Sequence, residues 1–174
     1  LVRTTFKKKR EALRKLLRSQ NIQNAVIFCN RKRDISTLLS SMKRHGFSAT
    51  GLHGDMTQSA RLTALDEFKT GQIPLLVASD VAARGLDIPS VSHVFNFDVP
   101  SNAEDYVHRI GRTGRAGRHG HAFTLIAGED DEKAILAIEK LTGQPIPVLS
   151  DTDRQSKREH STDDAEKSTK KQSK

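Results

Sequence analysis

Leu75–Phe97, L-L-V-A-S-D-V-A-A-R-G-L-D-I-P-S-V-S-H-V-F-N-F, holds the pattern on which the fold turns. Leu75–Ala78 is an unbroken apolar run, too short for a helix and without the alternation of a half-exposed strand. Such runs belong to strands covered on both faces. Val91–Phe97 reads as a second strand, and the segment between them is a loop carrying glycine and charge rather than a regular helix. Outward from this pair, Ala25–Cys29, Ala49–His53 and His121–Ile126 repeat the strand signature. Helix-period stretches alternate with them: Phe6–Arg18 with Leu13, Leu16 and Leu17 on one side, and Ile35–His45 with Ile35, Leu38, Leu39 and Met42. A third follows Thr57 as N-cap, with Leu62, Leu65 and Phe68 apolar and Gly71 as its stop; Ala103–Ile110 and Asp130–Leu141 complete the series. Alternation of this kind predicts an α/β fold, a parallel sheet with helices on both faces. Ligands of such sheets sit outside the carboxyl ends of the strands. The rule directs attention to the loops after Cys29, His53, Ala78 and Phe97.

The chain has 174 residues, of which 35% are hydrophobic, a low share for one core along the whole length. The deficit is concentrated at the end. Ser150–Lys174 contains no Val, Ile, Leu, Phe or Met, so it cannot bury enough surface to fold. One folded domain over residues 1–149 and a disordered charged tail over 150–174 are expected. The start at Leu1 rather than Met hints at an excised fragment. The net charge is +8. Residues 151–174 hold seven Lys or Arg against six Asp or Glu, so the folded part carries +7. A basic domain fits a polyanionic partner, although charge alone is equally compatible with solubility. The terminal cluster Lys170, Lys171 and Lys174 would add weak RNA affinity at most. Cys29 is the single cysteine, which excludes an internal disulfide or a cysteine framework for zinc. His45, His93, His119 and His121 show no ligand spacing, so no metal site is expected and surface positions are their default. No apolar run approaches a membrane span and no signal peptide is visible; a cytoplasmic, monomeric protein is expected.

The segment richest in chemistry is His108–Arg118, H-R-I-G-R-T-G-R-A-G-R, with Arg109, Arg112, Arg115 and Arg118 at three-residue steps. A solvated basic loop would not account for that regularity, nor for the glycine before each of the last three arginines. Arg112 and Arg115, three apart, would project the same way in a helix or turn. Two converging guanidiniums suit a transferring phosphoryl group, whose charge is spread over several oxygens. H-R-I-G-R-T-G-R resembles, without a substitution, the last signature of the DEAD-box RNA helicases. The chain is thereby similar to the C-terminal RecA-like domain of that family, and it looks closest to the bacterial RhlE-like subgroup. The resemblance implies that Arg112 and Arg115 are arginine fingers on ATP. It also implies that His108 and Arg109 tie the segment to the facing domain and neighbouring loops.

Three further segments fit the same family. Ser79–Asp87, S-D-V-A-A-R-G-L-D, reads structurally as a capped loop in which Ser79 or Asp80 caps a turn and Asp87 pairs with Arg84. By resemblance Ser79, Arg84 and Gly85 would touch the RNA backbone and Asp87 the ribose of ATP; Ser79 stands where the family usually has Thr, and keeps the hydroxyl. Leu52–Arg61, L-H-G-D-M-T-Q-S-A-R, places Gly54 between a strand and a helix, where backbone N–H groups meet anions. Gln58 lies three residues before Arg61 on the same helix face, and the likeness assigns Gly54 and Arg61 to RNA phosphates. Val26–Arg33 is similar to the family's strand-to-loop element, with Arg31 replacing the usual Thr after Asn30.

The chain holds no G-x-x-x-x-G-K-[ST] loop and no D-E-A-D box. The phosphate cradle and magnesium site would then belong to the N-terminal RecA-like domain of the same protein, and the fragment alone would not hydrolyse ATP. Seven Phe, one Tyr and no Trp make a base-stacking platform a poor fit, so recognition through phosphates and sugars is expected. The reading is thus the second half of an ATP-dependent RNA helicase. The alternatives are a non-catalytic RNA-binding module and a DNA-directed superfamily 2 motor.

Overall fold

The computed structural model describes residues 1–149; the expected tail over 150–174 lies outside them. Six strands form one sheet: β1 (Val2–Arg3), β2 (Ala25–Phe28), β3 (Ala49–Leu52), β4 (Leu75–Ala78), β5 (His93–Asn96) and β6 (His121–Ile126). Their order across the sheet is β1-β6-β5-β2-β4-β3, and every pairing is parallel. Between them run α1 (Lys9–Ser19), α2 (Lys32–Arg44), α3 (Gln58–Lys69), α4 (Asp80–Ala83), α5 (Ala103–Ile110) and α6 (Glu129–Thr142).

The apolar runs are continuous because each strand feeds two cores. In β2, Ala25 and Ile27, with Cys29 just beyond, face the cluster under α1 and α2, which holds Leu13, Leu16, Leu17, Ile35, Leu38 and Met42. Val26 and Phe28 face the opposite cluster with Leu65 and Phe68 of α3 and Ala82 and Ala83 of α4. β4 divides the same way, Leu75 and Val77 against Leu76 and Ala78. α5 and α6 pack around Tyr106, Ile135 and Ile138 over Leu1 and Ile126. Burial pushes the Tyr106 phenol up, with Glu139 adding to the effect. The same cause pushes the Cys29 thiol up, as its place inside a core requires.

Several expectations are corrected. β1 was not legible in the sequence. The segment after β4 is not all loop: Asp80–Ala83 forms one helical turn, capped by the Ser79 hydroxyl, which accepts from the Ala82 N–H at 3.3 Å. Leu62 is 55% exposed rather than part of the core. His93 is not a surface residue. It is buried in a ring stack with His121, Phe95 and Phe123. Among the described residues no helix is long and apolar enough to cross a membrane.

Candidate nucleotide and nucleic-acid interface

The carboxyl ends of β2, β4 and β5 are held together by one buried side chain. Arg109, on the last turn of α5, is 1% exposed. Its Nε and Nη2 reach the two Asp80 carboxylate oxygens at 2.7 and 2.5 Å. The remaining donors go to Asn30 Oδ1 and the Asp98 carbonyl, both at 2.8 Å, and to Asn96 Oδ1 at 3.4 Å. The guanidinium also lies 5.2 Å from the centre of the Phe28 ring. A buried cation survives only when its donors are satisfied in this way. Asp98 extends the network, accepting from the Asn30 N–H at 3.0 Å and from Lys9 Nζ at 2.9 Å. Lys9 is itself a buried cation, with Asp131 3.9 Å away.

Beside this frame lies a cleft of about 280 Å³, lined by Phe28, Asp80, Arg84, Gly85, Asp105, His108 and Arg112 among others. It brings together residues from the segments Ser79–Asp87 and His108–Arg118: Arg84 and Gly85 on one side, His108 and Arg112 on the other. Arg84 is 3.6 Å from Asp105, not paired with Asp87 as expected from the sequence. Asp87 is 96% exposed and sits 3.4 Å from Lys69 of α3, outside the cleft lining.

Arg112 lines the cleft, whereas Arg115 is bonded within its own loop. α5 ends at Ile110, and the backbone takes left-handed conformations at Gly114, Ala116 and Gly117. Arg115 Nε donates back to the Gly111 carbonyl, and the side chain does not line the cleft. The loop closes on itself where Gly120 crosses Gly114: a Cβ at Gly120 would lie 2.2 Å from the Gly114 N. Neither Arg112 nor Arg115 has a carboxylate partner among the described residues.

At the β3–α3 corner, Thr57 caps α3 as expected, its hydroxyl accepting from the Ala60 N–H at 3.2 Å. Gly54 and Gln58 are exposed. Arg61 donates from Nη2 to the Ala82 carbonyl at 3.1 Å, which ties this corner to α4. Its Nε is buried without a partner, as is Nδ1 of His53. Ser79 is buried and its hydroxyl already caps α4, so its expected contact with RNA competes with that bond. Among the described residues no cluster of three or more His, Cys, Asp or Glu could hold a metal ion.

Residues 8–117 match the family model described as the helicase conserved C-terminal domain. The "DEAD-box ATP-dependent RNA helicase CshA" of Bacillus subtilis is 51% identical over 146 residues, 83% of this chain and 29% of that protein. This chain is a DEAD-box helicase C-terminal domain. The CshA of Bacillus licheniformis is 49% identical over 136 residues, 78% of this chain and 28% of its own length. The chain therefore spans less than a third of the curated relatives it matches. Among solved structures, the Escherichia coli DEAD-box protein SrmB, bound to regulator of ribonuclease activity A, superposes with a TM-score of 0.80 at 34% identity, covering 88% of this chain and 90% of that one. The C-terminal domain of the DEAD-box protein Dbp5 gives 0.79 at 32%, covering 86% and 87%. The sheet is accordingly the RecA-like fold of DEAD-box C-terminal domains.

In this DEAD-box domain the sequence signatures and the network only partly coincide. Arg109 belongs to a signature, but Asn96, Asp98 and Lys9 do not, and reading the sequence missed them. Asn96 left a signal: a polar residue inside the apolar run Val94–Phe97 must find buried partners, and its Nδ2 donates to the Thr124 hydroxyl at 3.0 Å. Asp98 and Lys9, 89 residues apart in the chain, left none.

Proposed function

We propose that this chain is the second RecA-like half of an ATP-dependent DEAD-box RNA helicase that opens RNA duplexes locally. The observation that carries the reading is the Arg109 network. It fastens α5, and with it the arginine segment, to the β4–α4 turn and to the β2–α2 loop, which would couple the elements proposed for nucleotide and for RNA. Gly54, Arg61, Ser79, Arg84 and Gly85 would meet the RNA backbone. The buried, unpartnered Nε of Arg61 is a donor that still needs an acceptor, and a phosphate oxygen would supply one. His108 and Gln58 would position the segment and the β3–α3 corner.

ATP fits the remaining groups. Arg112 presents an uncompensated guanidinium in the cleft, the exposed Asp87 beside Lys69 would accept ribose hydroxyls, and Arg115 would swing out from Gly111 to meet the terminal phosphate. Magnesium and the phosphate cradle would come from the N-terminal RecA-like domain, which makes this chain inactive alone. The likeness to the RhlE-like subgroup, a single folded unit over 1–149, a monomeric state and a cytoplasmic location belong to the same proposal. Arg115→Ala in the full-length protein is expected to lower RNA-stimulated ATP hydrolysis by roughly 10³-fold or more, the range of arginine fingers. Unchanged hydrolysis would defeat the assignment, and equal stimulation by DNA would favour a DNA-directed motor.

A further inference from the structure

A second cationic surface begins beside the candidate RNA loops. α1 and α2 both start at the carboxyl edge of the sheet and run side by side. Arg14 donates to the Ser41 hydroxyl at 3.1 Å, and Arg18 to the His45 carbonyl at 3.3 Å. The seam between the helices is an open cleft of about 490 Å³ walled by Lys7, Arg10, Arg14, Ser40 and Arg44, and no apolar residue lines it. It shares Lys7, Arg10 and Thr37 with a neighbouring cleft of about 400 Å³, at whose rim stand Asn30 and Arg31. Arg31 precedes Lys32, which pairs at 2.8 Å with Asp55, the residue next to Gly54. The seam is therefore continuous with the β3–α3 corner.

Its charge is one-sided. Glu11 is the single carboxylate on the lower cleft, and it is bound to Lys15 at 2.7 Å. In the upper cleft Asp98 and Asp131 are taken by Lys9, which leaves Asp34. Lys7, Arg10 and Arg44 are exposed and have no ion-pair partner among the described residues. Lys7, Arg10, Arg14 and Arg18 recur at three- and four-residue steps, where like charges oppose helix formation. Helix formation thus gives no reason for the row, whereas an external polyanion does.

We infer that the α1–α2 seam is a track for the RNA strand where it continues past the loops, gripped through its phosphates. The inference rests on the RNA-binding reading of those loops. An acidic protein segment fits the lower cleft less well, because protein partners anchor through apolar or aromatic side chains and only the upper cleft offers any, at Phe6, Leu38 and Phe97. A phosphate backbone needs only cations. α1, at 1.5 Å per residue, is roughly 16 Å long, so the seam has room for several nucleotides.

The test uses the 174-residue chain and oligouridylates of about five and about twenty nucleotides, short and long against typical site sizes. Arg10→Gln with Arg44→Gln is expected to weaken binding of the long strand several-fold. The slope of log affinity against log salt should fall by about 1.4, roughly 0.7 for each lost phosphate contact. Short-strand binding should not change, nor should Lys133→Gln with Lys140→Gln on α6 alter either strand. An unaltered slope and affinity for the long strand would overturn the track. So would short-strand binding with no gain for the long one, which leaves the loop reading standing; binding of neither overturns both. Loss of a bound polyglutamate peptide in the variant, with RNA unaffected, would assign the seam to an acidic protein instead.

Discussion

Arg109 and Arg115 lie six residues apart in one glycine-punctuated segment, yet they occupy opposite electrostatic situations. Arg109 is buried, and all of its polar partners belong to the carboxyl edge of the protein's own sheet. Arg115 is exposed, and its recorded bond is to the carbonyl of Gly111 in its own loop. The first spends its charge on architecture and the second keeps it for something outside the described residues. The difference arises from where α5 ends. Inside the helix the side chain is directed into the sheet's carboxyl edge, whereas past Gly111 left-handed backbone turns the chain back on itself. An arginine-rich signature is therefore not one functional unit but a frame followed by a set of unspent cations.

Two changes probe this division and a third probes the buried strand end beside it, in descending order of effect. Asp80→Ala leaves Arg109 buried and short of its carboxylate, and should lower unfolding free energy by about 3–5 kcal/mol, as for other broken buried pairs; urea denaturation reads it. Gly120→Ala forces a methyl group against the Gly114 backbone, and should cost about 1–3 kcal/mol, the range for overpacking. That loss would show as a lower thermal midpoint, with the Arg109 frame intact. The smallest effect is on pH dependence. Burial raises the Cys29 thiol above its ordinary 9.0, with Asp98 and Asp34 adding to the rise. A raised value in the folded state means that Cys29 contributes stability fully below pH 9.0, and loses it as pH rises towards the folded value. Urea midpoints should decline on going above pH 9.0, and Cys29→Ala should remove that part of the decline.

The central strands β2 and β4 were legible because a parallel strand buried on both faces leaves an unbroken apolar run. α5 was legible to the residue, Ala103–Ile110, because Asn102 caps it and Gly111 ends it. β1 left no trace. Two residues carry no period, and Val2–Arg3 is a strand only through its pairing with Leu125 and Ile126. Leu62 misled because at 100° per residue it lies roughly 120° around the helix from Phe68. Ala64, too small to draw notice, takes the buried position instead. For the site, the spacing of Arg112 and Arg115 argued a shared direction in a helix or turn, and the left-handed residues Gly114 and Ala116 that follow Arg112 are not visible in that spacing. The partner of Arg84 could not be read either: Asp105 is brought beside it by the packing of α5 against the β4–α4 turn, not by proximity in the chain.

The most direct measurement compares unfolding of this chain carrying Arg109→Met with the chain carrying Arg112→Gln and Arg115→Gln together. If the segment divides as described, Arg109→Met loses about 3–5 kcal/mol by urea denaturation, while the double variant stays within about 0.5 kcal/mol of the parent. Equal losses in the two, or a larger loss in the double variant, would contradict the division between frame and unspent charge.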